Sequence, residues 1–401
     1  MKITDIRTHV LLDPAYDIDA TSSAQDTIVV EIETDEGLVG IGETDLNAWI
    51  ARACIEAPGT HTMDRGLRSL LLGRDPLGDP EATWNELYVG TCMTGRRGAL
   101  VNALGALDIA LWDLRGKAAG VPVWKLLGEQ ARDELTPYAS LQPETSSFDD
   151  YLRSMVAWAL HARELGFGAV KMEATFDGPY VHKGLVGPDE RVIEVLRAVR
   201  GALGPEIAIM VDLQYAFAEV ERALAMAEAI APYDVFFLET PLWVDDLEGH
   251  AQLSERSPVR IASGEWLSSR FEHFDLIDRG GVHVCQPDIG RVGGLTEARR
   301  ICAYAGERGR LAVPHAWKTG ISVAVAAHLA MITPHMPYFE FLPAELCQSD
   351  LRKRLTRDEL VYSAGRLSLP ERPGLGVELD EDALEEFAEA AKRLEHNRRL
   401  T

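Results

Sequence analysis

The chain has 401 residues, of which 40 are Lys or Arg and 63 are Asp or Glu, so its formal net charge is −23. This excess of acid excludes nucleic acids and anionic membrane surfaces as partners, because both require clustered cations. With 46% hydrophobic and 26% charged residues, the composition is that of a globular protein with a large buried core, not of a disordered chain.

The cysteines and the apolar segments indicate the cellular compartment of the protein. The five cysteines are odd in number, scattered and without a CxxC spacing, so neither a disulfide framework nor a zinc site is indicated. The charged N-terminus does not fit a signal peptide, and the longest apolar run, residues 321–332, is shorter than the roughly 20 residues that a membrane span requires. A cytoplasmic protein without a membrane segment is expected.

The first part of the chain combines strands with helices. Residues 28–33 alternate between apolar and polar side chains, and a turn signal at Asp35-Glu-Gly37 precedes a second apolar run, which predicts a β-hairpin. Residues 13–24, before the hairpin, are small and polar and favour a mobile loop, interpreted as a lid. Leucines repeat with helical spacing over residues 100–114, and this helix is expected to stop before Gly120.

From Leu135 onwards, short apolar strands alternate with long helical stretches. The predicted strands are Thr136–Leu141, Ala169–Met172, Ile207–Val211, Val235–Leu238, Arg260–Ser263, Val282–Cys285, Leu311–Val313 and Tyr338–Phe341. Eight strands with helices between them require parallel pairing through right-handed crossovers, and the closed version of that arrangement is a β/α barrel. A doubly wound open sheet is the competing architecture, but no glycine-rich phosphate loop follows an early strand.

These patterns predict a division of the chain into two domains. Residues 1–125 form an α+β domain, and residues 126–369 form the barrel. An acidic helix from Asp380 to about Arg393 ends the chain and is expected to pack back on the first domain. Residues 370–401 therefore complete that first domain.

The barrel strands end in a ladder of polar residues. They are Lys171, Glu173, Asp212, Glu239, Glu265, Asp288, His315 and Glu340. From Asp212 to His315 the steps along the chain are 27, 26, 23 and 27 residues, each close to one βα unit. Such spacing predicts that the side chains meet at the C-terminal rim, where β/α barrels build their active sites.

Three carboxylates of this ladder come from consecutive strands. Two unit charges about 4 Å apart repel by roughly 4 kcal/mol at an effective dielectric constant near 20, so Asp212, Glu239 and Glu265 require a compensating cation. Carboxylate oxygens select a hard ion such as Mg²⁺ over zinc. The trio therefore predicts a magnesium site with positions open to water or to substrate oxygens.

A histidine and a lysine complete the candidate chemistry. Asp288 and His315 follow successive strands, and a carboxylate bonded to one imidazole nitrogen prepares the other nitrogen as a general base. Lys171, on the opposite side of the barrel, either binds an anionic substrate or serves as a second acid/base, and both roles stay open.

Together with Ala106-Leu-Asp-Ile-Ala-Leu-Trp-Asp113 and Pro373-Gly-Leu-Gly-Val-Glu378, the ladder resembles the enolase superfamily, in particular its mandelate racemase/muconate-lactonising group. The resemblance covers nearly the whole chain. It implies a modified (β/α)₇β barrel under an α+β capping domain, bound Mg²⁺, and a homo-oligomer. It also implies a small-molecule carboxylate substrate, whose α-proton a Lys or His base removes to give an enediolate stabilised by Mg²⁺.

One motif departs from the pattern of this group. Members that resemble mandelate racemase carry Lys-x-Lys after the second barrel strand, whereas this chain has Lys171-Met-Glu173. A racemase with two bases therefore lacks the usual partner for His315. Glu173 is left with three open roles: an alternative acid/base, a hydrogen-bond partner of a sugar hydroxyl, or a structural carboxylate.

One clear base favours dehydration of a sugar acid, an aldonate or aldarate, to a 2-keto-3-deoxy acid. His315 removes the α-proton, and an acid, His315 itself in a syn elimination, assists departure of the β-hydroxyl. The resemblance implies that Glu340, when protonated, donates a hydrogen bond to the substrate carboxylate. The insert at residues 175–185, which holds His182, and the pair Trp317 and Lys318 offer polar and aromatic groups for a polyhydroxy acid.

Two other functions compete with dehydration. The first is an isomerase, that is, a racemase, epimerase or cycloisomerase of a carboxylate substrate that uses the same enediolate. The second is a barrel retained as a binding or structural module without turnover. Such a module would not need the three carboxylates.

Overall fold

The computed structural model of the chain describes residues 1–18, 24–341, 343–357, 360–368 and 371–398. The loop predicted at residues 13–24 lies partly outside these ranges, so its assignment as a lid stays a prediction. Among the described residues, no helix combines the length and the apolar character that crossing a bilayer demands.

An antiparallel sheet and five helices form the first part of the chain. The strands, in the order β1-β2-β3, are β1 (Ile3–Leu12), β2 (Asp26–Thr34) and β3 (Val39–Thr44). The helices are α1 (Ala48–Glu56), α2 (Leu67–Leu71), α3 (Pro80–Gly90), α4 (Ala99–Ala119) and α5 (Trp124–Leu127). The predicted hairpin is confirmed as β2 paired with β3, and the predicted leucine-rich helix is confirmed as α4, which stops at Gly120. Helix α4 packs so tightly on the sheet that a Cβ atom at Gly42 would lie 2.0 Å from the Ala106 carbonyl oxygen.

Eight parallel strands and seven helices follow. The strands are β4 (Pro137–Ser140), β5 (Ala169–Glu173), β6 (Ala208–Asp212), β7 (Val235–Glu239), β8 (Ile261–Ser263), β9 (Val284–Cys285), β10 (Leu311–Ala312) and β11 (Phe339–Phe341). A helix follows each of the first seven: α6 (Phe148–Glu164), α7 (Glu190–Leu203), α8 (Val220–Ile230), α9 (Leu247–Arg256), α10 (Arg270–Asp278), α11 (Leu295–Glu307) and α12 (Gly320–Ile332). Short 3₁₀ turns occupy Ala231–Tyr233 and Ala344–Leu346.

The strand order identifies the architecture. Consecutive strands from β4 to β10 are neighbours, and β11 pairs with β4, so the last strand returns to the first. Seven β/α units and a closing strand are the predicted modified (β/α)₇β barrel, which is thus confirmed over the open doubly wound sheet. An α+β cap precedes the barrel, as predicted.

The barrel interior changes from apolar to polar toward its C-terminal rim. An apolar layer inside the sheet includes Tyr138, Met210, Phe237 and Val313. Residues two positions further along a strand point to the same face. At those positions the sequence places Ser140, Asp212, Glu239 and His315. The polar side chains of the rim therefore lie next to an apolar layer inside the barrel.

The C-terminal segment returns to the cap. It contains α13 (Asp350–Arg354), β12 (Thr356–Arg357), β13 (Val361–Ser363), β14 (Arg366–Ser368), β15 (Glu378–Leu379) and α14 (Glu381–Arg398). Strand β12 pairs with β15 and β13 with β14. Ala390 and Ala391 of α14 pack in the apolar cluster of the cap, and the Trp49 indole donates a 2.6 Å hydrogen bond to Glu395. These contacts support our proposal that residues 370–401 complete the capping domain of residues 1–125 beside a barrel of residues 126–369.

Candidate active site

Three acidic side chains stand side by side at the C-terminal rim. Glu173, Asp212 and Glu239 are the last residues of β5, β6 and β7, and the parallel ladder pairs Glu173 with Asp212 and Asp212 with Glu239. Because paired residues of a parallel sheet point to the same face, the register itself brings the three carboxylates together.

The later rim residues follow their strands at short distances. Glu265 comes two residues after β8, and Gly264 between them adopts a φ of +125° that side chains rarely tolerate. A Cβ atom at Gly264 would also lie 2.9 Å from the His273 ring. Asp288 and His315 each lie three residues beyond β9 and β10, whereas Glu340 lies within β11.

A cavity of about 380 Å³ opens at this rim. The predicted site residues on its wall are Lys171, Glu173, His182, Asp212, Glu265, His315 and Trp317. Glu239, Asp288 and Glu340 are buried next to these residues. Lys318 is not on the cavity wall: its ammonium pairs with Asp45 at 3.0 Å and with Asp26 at 3.5 Å, so it joins the cap to the barrel. The expected contact of Lys318 with substrate is therefore not supported.

Local donors orient two carboxylates of the predicted metal trio. Asp212 Oδ1 accepts hydrogen bonds from Thr240 Oγ1 at 2.6 Å and from the Gln214 N–H at 2.9 Å. Glu265 Oε1 accepts one from the Tyr215 hydroxyl at 3.0 Å. Burial raises the pKa of Asp212 to about 6, with Lys171 opposing this rise and Glu265 adding to it. Each carboxylate keeps its second oxygen outside these bonds.

Glu239, the third member of the trio, has an oxygen that lacks a partner. Its side chain is fully buried; Oε1 accepts from Lys171 Nζ at 3.0 Å, and Oε2 has no hydrogen-bond partner. Burial raises the pKa of Glu239 to about 8 against the attraction of Lys171. An unsatisfied buried polar atom costs about 1–3 kcal/mol, so a ligand is expected there. Three adjacent carboxylates with such an atom fit a hard divalent cation such as Mg²⁺.

A second set of metal-type ligands lies nearby but fits a cation poorly. In the described part of the chain, ligand atoms of Asp45, Asp288 and His315 lie within 4.8 Å of one another. Asp45 is already paired with Lys318 and with the Arg291 guanidinium, whose charges outweigh burial and keep the pKa of Asp45 well below its usual range. Two cations beside Asp45 would repel a third, and His315 Nδ1 is already bonded to Asp288.

His315 and Asp288 form the arrangement of an oriented base. His315 Nδ1 lies 2.6 Å from Asp288 Oδ2, and the Arg291 N–H donates to the other Asp288 oxygen at 3.0 Å. An ionised carboxylate only accepts, so Nδ1 carries the proton and Nε2, 3.7 Å from Glu265 Oε2, is the basic nitrogen. Burial lowers the pKa of His315, but Glu340 and the bond to Asp288 outweigh it and raise that pKa to about 9.

Both carboxylate oxygens of Glu340 accept hydrogen bonds. It accepts hydrogen bonds from the Ser140 hydroxyl and, at 2.9 Å, from the Ala316 N–H. Burial would raise the pKa of Glu340, but Lys171 at 3.0 Å and His315 outweigh it and lower that pKa to about 2. These contacts favour the ionised carboxylate, which stabilises the positive charge of Lys171. Donation of a hydrogen bond from a protonated Glu340 to the substrate stays a prediction.

Lys171 and Glu173 occupy the positions of the Lys-x-Lys motif. Burial disfavours the Lys171 ammonium, but the charges of Glu239 and Glu340 outweigh it and raise the pKa of Lys171 well above its usual value. Lys171 therefore stays a cation, which favours anion binding over proton transfer. Burial, with the neighbouring charge of Asp212, raises the pKa of Glu173 to about 8, so the protonated form of Glu173 is a hydrogen-bond donor.

The sequence analysis missed several residues on the cavity wall. Ser140 ends β4, so the strand-end criterion that selects Asp212 would have found it. Arg291 lies in the glycine-rich segment Gly290-Arg-Val-Gly-Gly294 after β9, and its guanidinium donates to the backbone oxygens of Glu265 at 3.1 Å and of Asp45 at 3.0 Å. No single-residue pattern marks Tyr215, whose position depends on the loop conformation after β6.

Strained backbone accompanies these carboxylates. Gln214, Tyr215 and Thr240 have φ values of 45°, 61° and 44°, in the left-handed region that costs about 1–3 kcal/mol for such side chains. All three follow β6 or β7 directly, beside Asp212 and Glu239. Strain of this kind concentrates at functional sites, which agrees with the placement of the cavity.

The capped barrel with its acidic rim defines an enzyme of the enolase superfamily. Residues 4–128 match the family profile described as "Mandelate racemase / muconate lactonizing enzyme, N-terminal domain", and residues 154–383 match "Enolase C-terminal domain-like". The chain therefore belongs to the mandelate racemase/muconate lactonizing enzyme family, whose superfamily binds Mg²⁺.

Relatives within this family carry different activities. D-galactarolactone cycloisomerase of Agrobacterium fabrum is 31% identical and covers 96% of this chain and 99% of its own. L-rhamnonate dehydratase of Saccharopolyspora erythraea is 34% identical, over 88% of this chain and 83% of its own. The structure of a racemase from Streptomyces coelicolor A3(2) with bound magnesium superposes with a TM-score of 0.81 at 26% identity, covering 96% and 99% of the two chains. Both lyases and isomerases thus occur among the relatives.

Proposed function

We propose that the protein is a Mg²⁺-dependent dehydratase of a sugar acid, an aldonate or aldarate, that forms a 2-keto-3-deoxy acid. The observation that carries this proposal is the single oriented imidazole base: His315 on the cavity wall, held by Asp288 at 2.6 Å, with Glu173 in place of a second lysine. The similarity to an L-rhamnonate dehydratase supports the same reaction class.

Asp212, Glu239 and Glu265 are the residues that would hold Mg²⁺, because Asp212 and Glu239 are neighbours in the sheet, the charge of Glu265 acts on both, and Glu239 Oε2 lacks another partner. When bound, the cation supplies charge neutralisation for the substrate carboxylate as negative charge develops on it. Lys171 adds a fixed positive charge on the cavity wall.

His315 transfers one proton twice: it takes the proton from the substrate and then gives it to the departing hydroxyl. His315 Nε2 takes the proton from the carbon α to the carboxylate, and the C–H electron pair forms the carbon–carbon double bond of an enol. The β C–O bond breaks, and the departing hydroxyl takes the proton from His315, so that one water leaves. The enol then rearranges to the 2-keto acid. Asp288 holds the imidazole orientation through both transfers.

Incubation with libraries of aldonic and aldaric acids and Mg²⁺ tests this proposal, with 2-keto acids detected as semicarbazones. We expect at least one acid to give a 2-keto-3-deoxy product, and removal of Mg²⁺ by a chelator to stop its formation. No product from either library would contradict dehydration.

A cycloisomerase or epimerase is the second candidate, because one relative that aligns over nearly the whole of both chains is a D-galactarolactone cycloisomerase. It would use the same base and cation without loss of water. Exchange of the substrate α-proton for deuterium in D₂O, with ring opening or inversion and no 2-keto product, would favour this candidate over dehydration.

A further inference from the structure

Four aromatic side chains cluster beside the catalytic cavity. They are Tyr180, Tyr215, Trp243 and Trp266, called the aromatic wall below. The ring centroids of Tyr215 and Trp266 lie 4.1 Å apart, and Tyr180 meets Trp266 edge to face at 5.2 Å. Trp243 lies 5.5 Å from Tyr215. Tyr180, Tyr215 and Trp266 line the same cavity as the candidate base.

Two residues of the aromatic wall lie in loops that also hold carboxylates of the predicted metal site. Tyr215 lies three residues after Asp212, and Trp266 directly follows Glu265. The Tyr215 hydroxyl donates to Glu265 at 3.0 Å, so the aromatic wall and the predicted metal site are in direct contact. A substrate carboxylate near the metal site therefore leaves the rest of its carbon chain within reach of these rings.

Three of the four side chains of the aromatic wall stay partly exposed after folding. Trp266 is 36% exposed, Tyr180 41% and Trp243 42%, although large aromatic side chains are normally buried. Contiguous exposed apolar surface in a cavity with convergent polar groups marks a ligand-binding site. The exposed parts of these rings are available for contact with a ligand.

The charges around the cavity restrict that partner. In the described part of the chain, the Lys and Arg side chains on the cavity wall are Lys171 and Arg291. Lys171 is paired with Glu239 and Glu340 at 3.0 Å each, and Arg291 is paired with Asp45. Among the described residues, a second carboxylate of a substrate beside these rings would therefore find no lysine or arginine of the cavity wall that is free of an ion pair.

We propose that the aromatic wall is the subsite for the substrate carbons distant from the reacting carboxylate, and that it selects monocarboxylic over dicarboxylic sugar acids. This inference rests on the proposed function and narrows its substrate class to aldonates. The C–H groups of a sugar carry slight positive charge and pack on the negative faces of the rings. A carboxylate there is repelled by those faces and loses its hydration without a compensating hydrogen bond.

Matched pairs of six-carbon acids that differ only at C6 test the selection: galactonate with galactarate, and gluconate with glucarate. We expect kcat/KM to be at least about tenfold higher for the monoacid of the pair that is turned over. Trp266→Ala should raise KM for that monoacid about 3- to 10-fold with little change in kcat, whereas KM for the diacid stays within about twofold. Trp266→Phe, which keeps a ring, should recover most of the loss.

Two controls separate the wall from general effects. Tyr180→Ala removes a ring of the wall and should raise KM for the monoacid, and Tyr180→Phe, which keeps the ring, should recover most of that loss. Phe271→Ala removes an aromatic side chain of similar exposure, 39%, outside the cavity, and should change neither parameter.

Preference for the diacid, or an equal KM change for both acids in Trp266→Ala, would overturn the subsite. A change of oligomeric state on size exclusion with no ligand dependence would identify the wall as a contact between copies of the chain and would also overturn it. If no sugar acid is turned over, calorimetric titration of the protein with the same acid pairs in the presence of Mg²⁺ tests the subsite separately from the proposed function. Monoacid preference that is lost in Trp266→Ala then supports the subsite while the proposed function fails, and absence of that preference overturns the subsite.

Discussion

At the scale of single residues, the orientation of the base depends on a chain of contacts that reaches the cap. Asp288 fixes His315, the Arg291 N–H holds Asp288, and the Arg291 guanidinium is bound by Asp45 between the cap strand β3 and helix α1. Turning the imidazole would break its bond to Asp288, whose own position depends through Arg291 on the cap. Its position, more than its identity, distinguishes it from the other histidines of the chain.

Replacing the base tests its role directly. In His315→Asn, we expect exchange of the α-proton in D₂O and product formation to fall at least about 10²- to 10⁴-fold, the contribution of a positioned general base. Proton NMR of an acid identified in the screen measures the exchange. Calorimetric Mg²⁺ affinity should change little, because Asn leaves the carboxylate trio intact. Full activity of this variant would remove His315 from the mechanism.

Asp212→Asn tests the proposed metal site. The amide oxygen still accepts from Thr240 and from the Gln214 N–H, but the negative charge is gone. We expect the Kd for Mg²⁺ to rise at least about tenfold by calorimetry, and Mg²⁺ to lose most of its effect on the thermal midpoint. Without Mg²⁺ the variant should be at least as stable as wild type, because repulsion from Glu265 is relieved.

The matched control is Asp177→Asn. Asp177 is an exposed acid that pairs with Arg222 at 2.7 Å, away from the trio, and its replacement should leave Mg²⁺ affinity unchanged. Equal Mg²⁺ affinities in wild type and Asp212→Asn would place the cation elsewhere.

At the scale of secondary-structure elements, the sequence predicted the barrel well because most strands are short apolar runs with a polar residue at their end or within three residues after it. Val235–Leu238 and Ala169–Met172 differ from β7 and β5 only by the terminal acid that each strand includes. Contacts between elements were not predictable in this way. Lys318 follows the base closely along the chain yet pairs with Asp45 and Asp26 of the cap, and the charge state of Glu340 depends on a lysine from another strand.

Helix α12 carries a histidine that joins three distant segments. The Trp124 N–H donates to His328 Nδ1 at 3.1 Å, and Nε2 lies 3.1 Å from the Leu375 carbonyl oxygen. A backbone N–H only donates and a carbonyl only accepts, so the ring is neutral with its proton on Nε2. Burial outweighs the bond to Leu375 and lowers the pKa of His328 from 6.5 to about 4.

This histidine predicts a loss of stability in acid. Between pH 6.5 and about 4 the unfolded chain binds a proton at His328 that the folded chain does not, so stability falls as pH decreases. The contribution over this window is about 3 kcal/mol. In His328→Gln, which keeps a donor and an acceptor, the free energy of unfolding in urea should fall less steeply from pH 7 to pH 4. An equal pH dependence in the two proteins would contradict the assignment.

At the scale of the whole molecule, helix α14 contributes to both apolar clusters, as α4 also does. The first half of α14 contributes Ala383, Leu384 and Phe387 to the barrel cluster, and its second half contributes Ala390 and Ala391 to the cap cluster. The acidic residues of α14 are largely exposed. They therefore lie on the face of the helix opposite the apolar residues that pack on the two domains. The C-terminal helix thus joins the cap to the barrel, in addition to the ion pairs of Asp45 with Arg291 and Lys318 near the cavity.

Phe387→Ala should weaken this joint without touching the site. Phe387 is fully buried, and truncation of a buried Phe to Ala typically costs about 3–5 kcal/mol. We expect the urea midpoint to fall accordingly, while kcat and KM of the folded enzyme at 25 °C stay near wild type, because Phe387 does not line the cavity. Glu385→Ala, on the exposed face of the same helix, should change stability by no more than about 0.5 kcal/mol. If Phe387→Ala were as stable as the Glu385 variant, α14 would not be what holds the cap to the barrel.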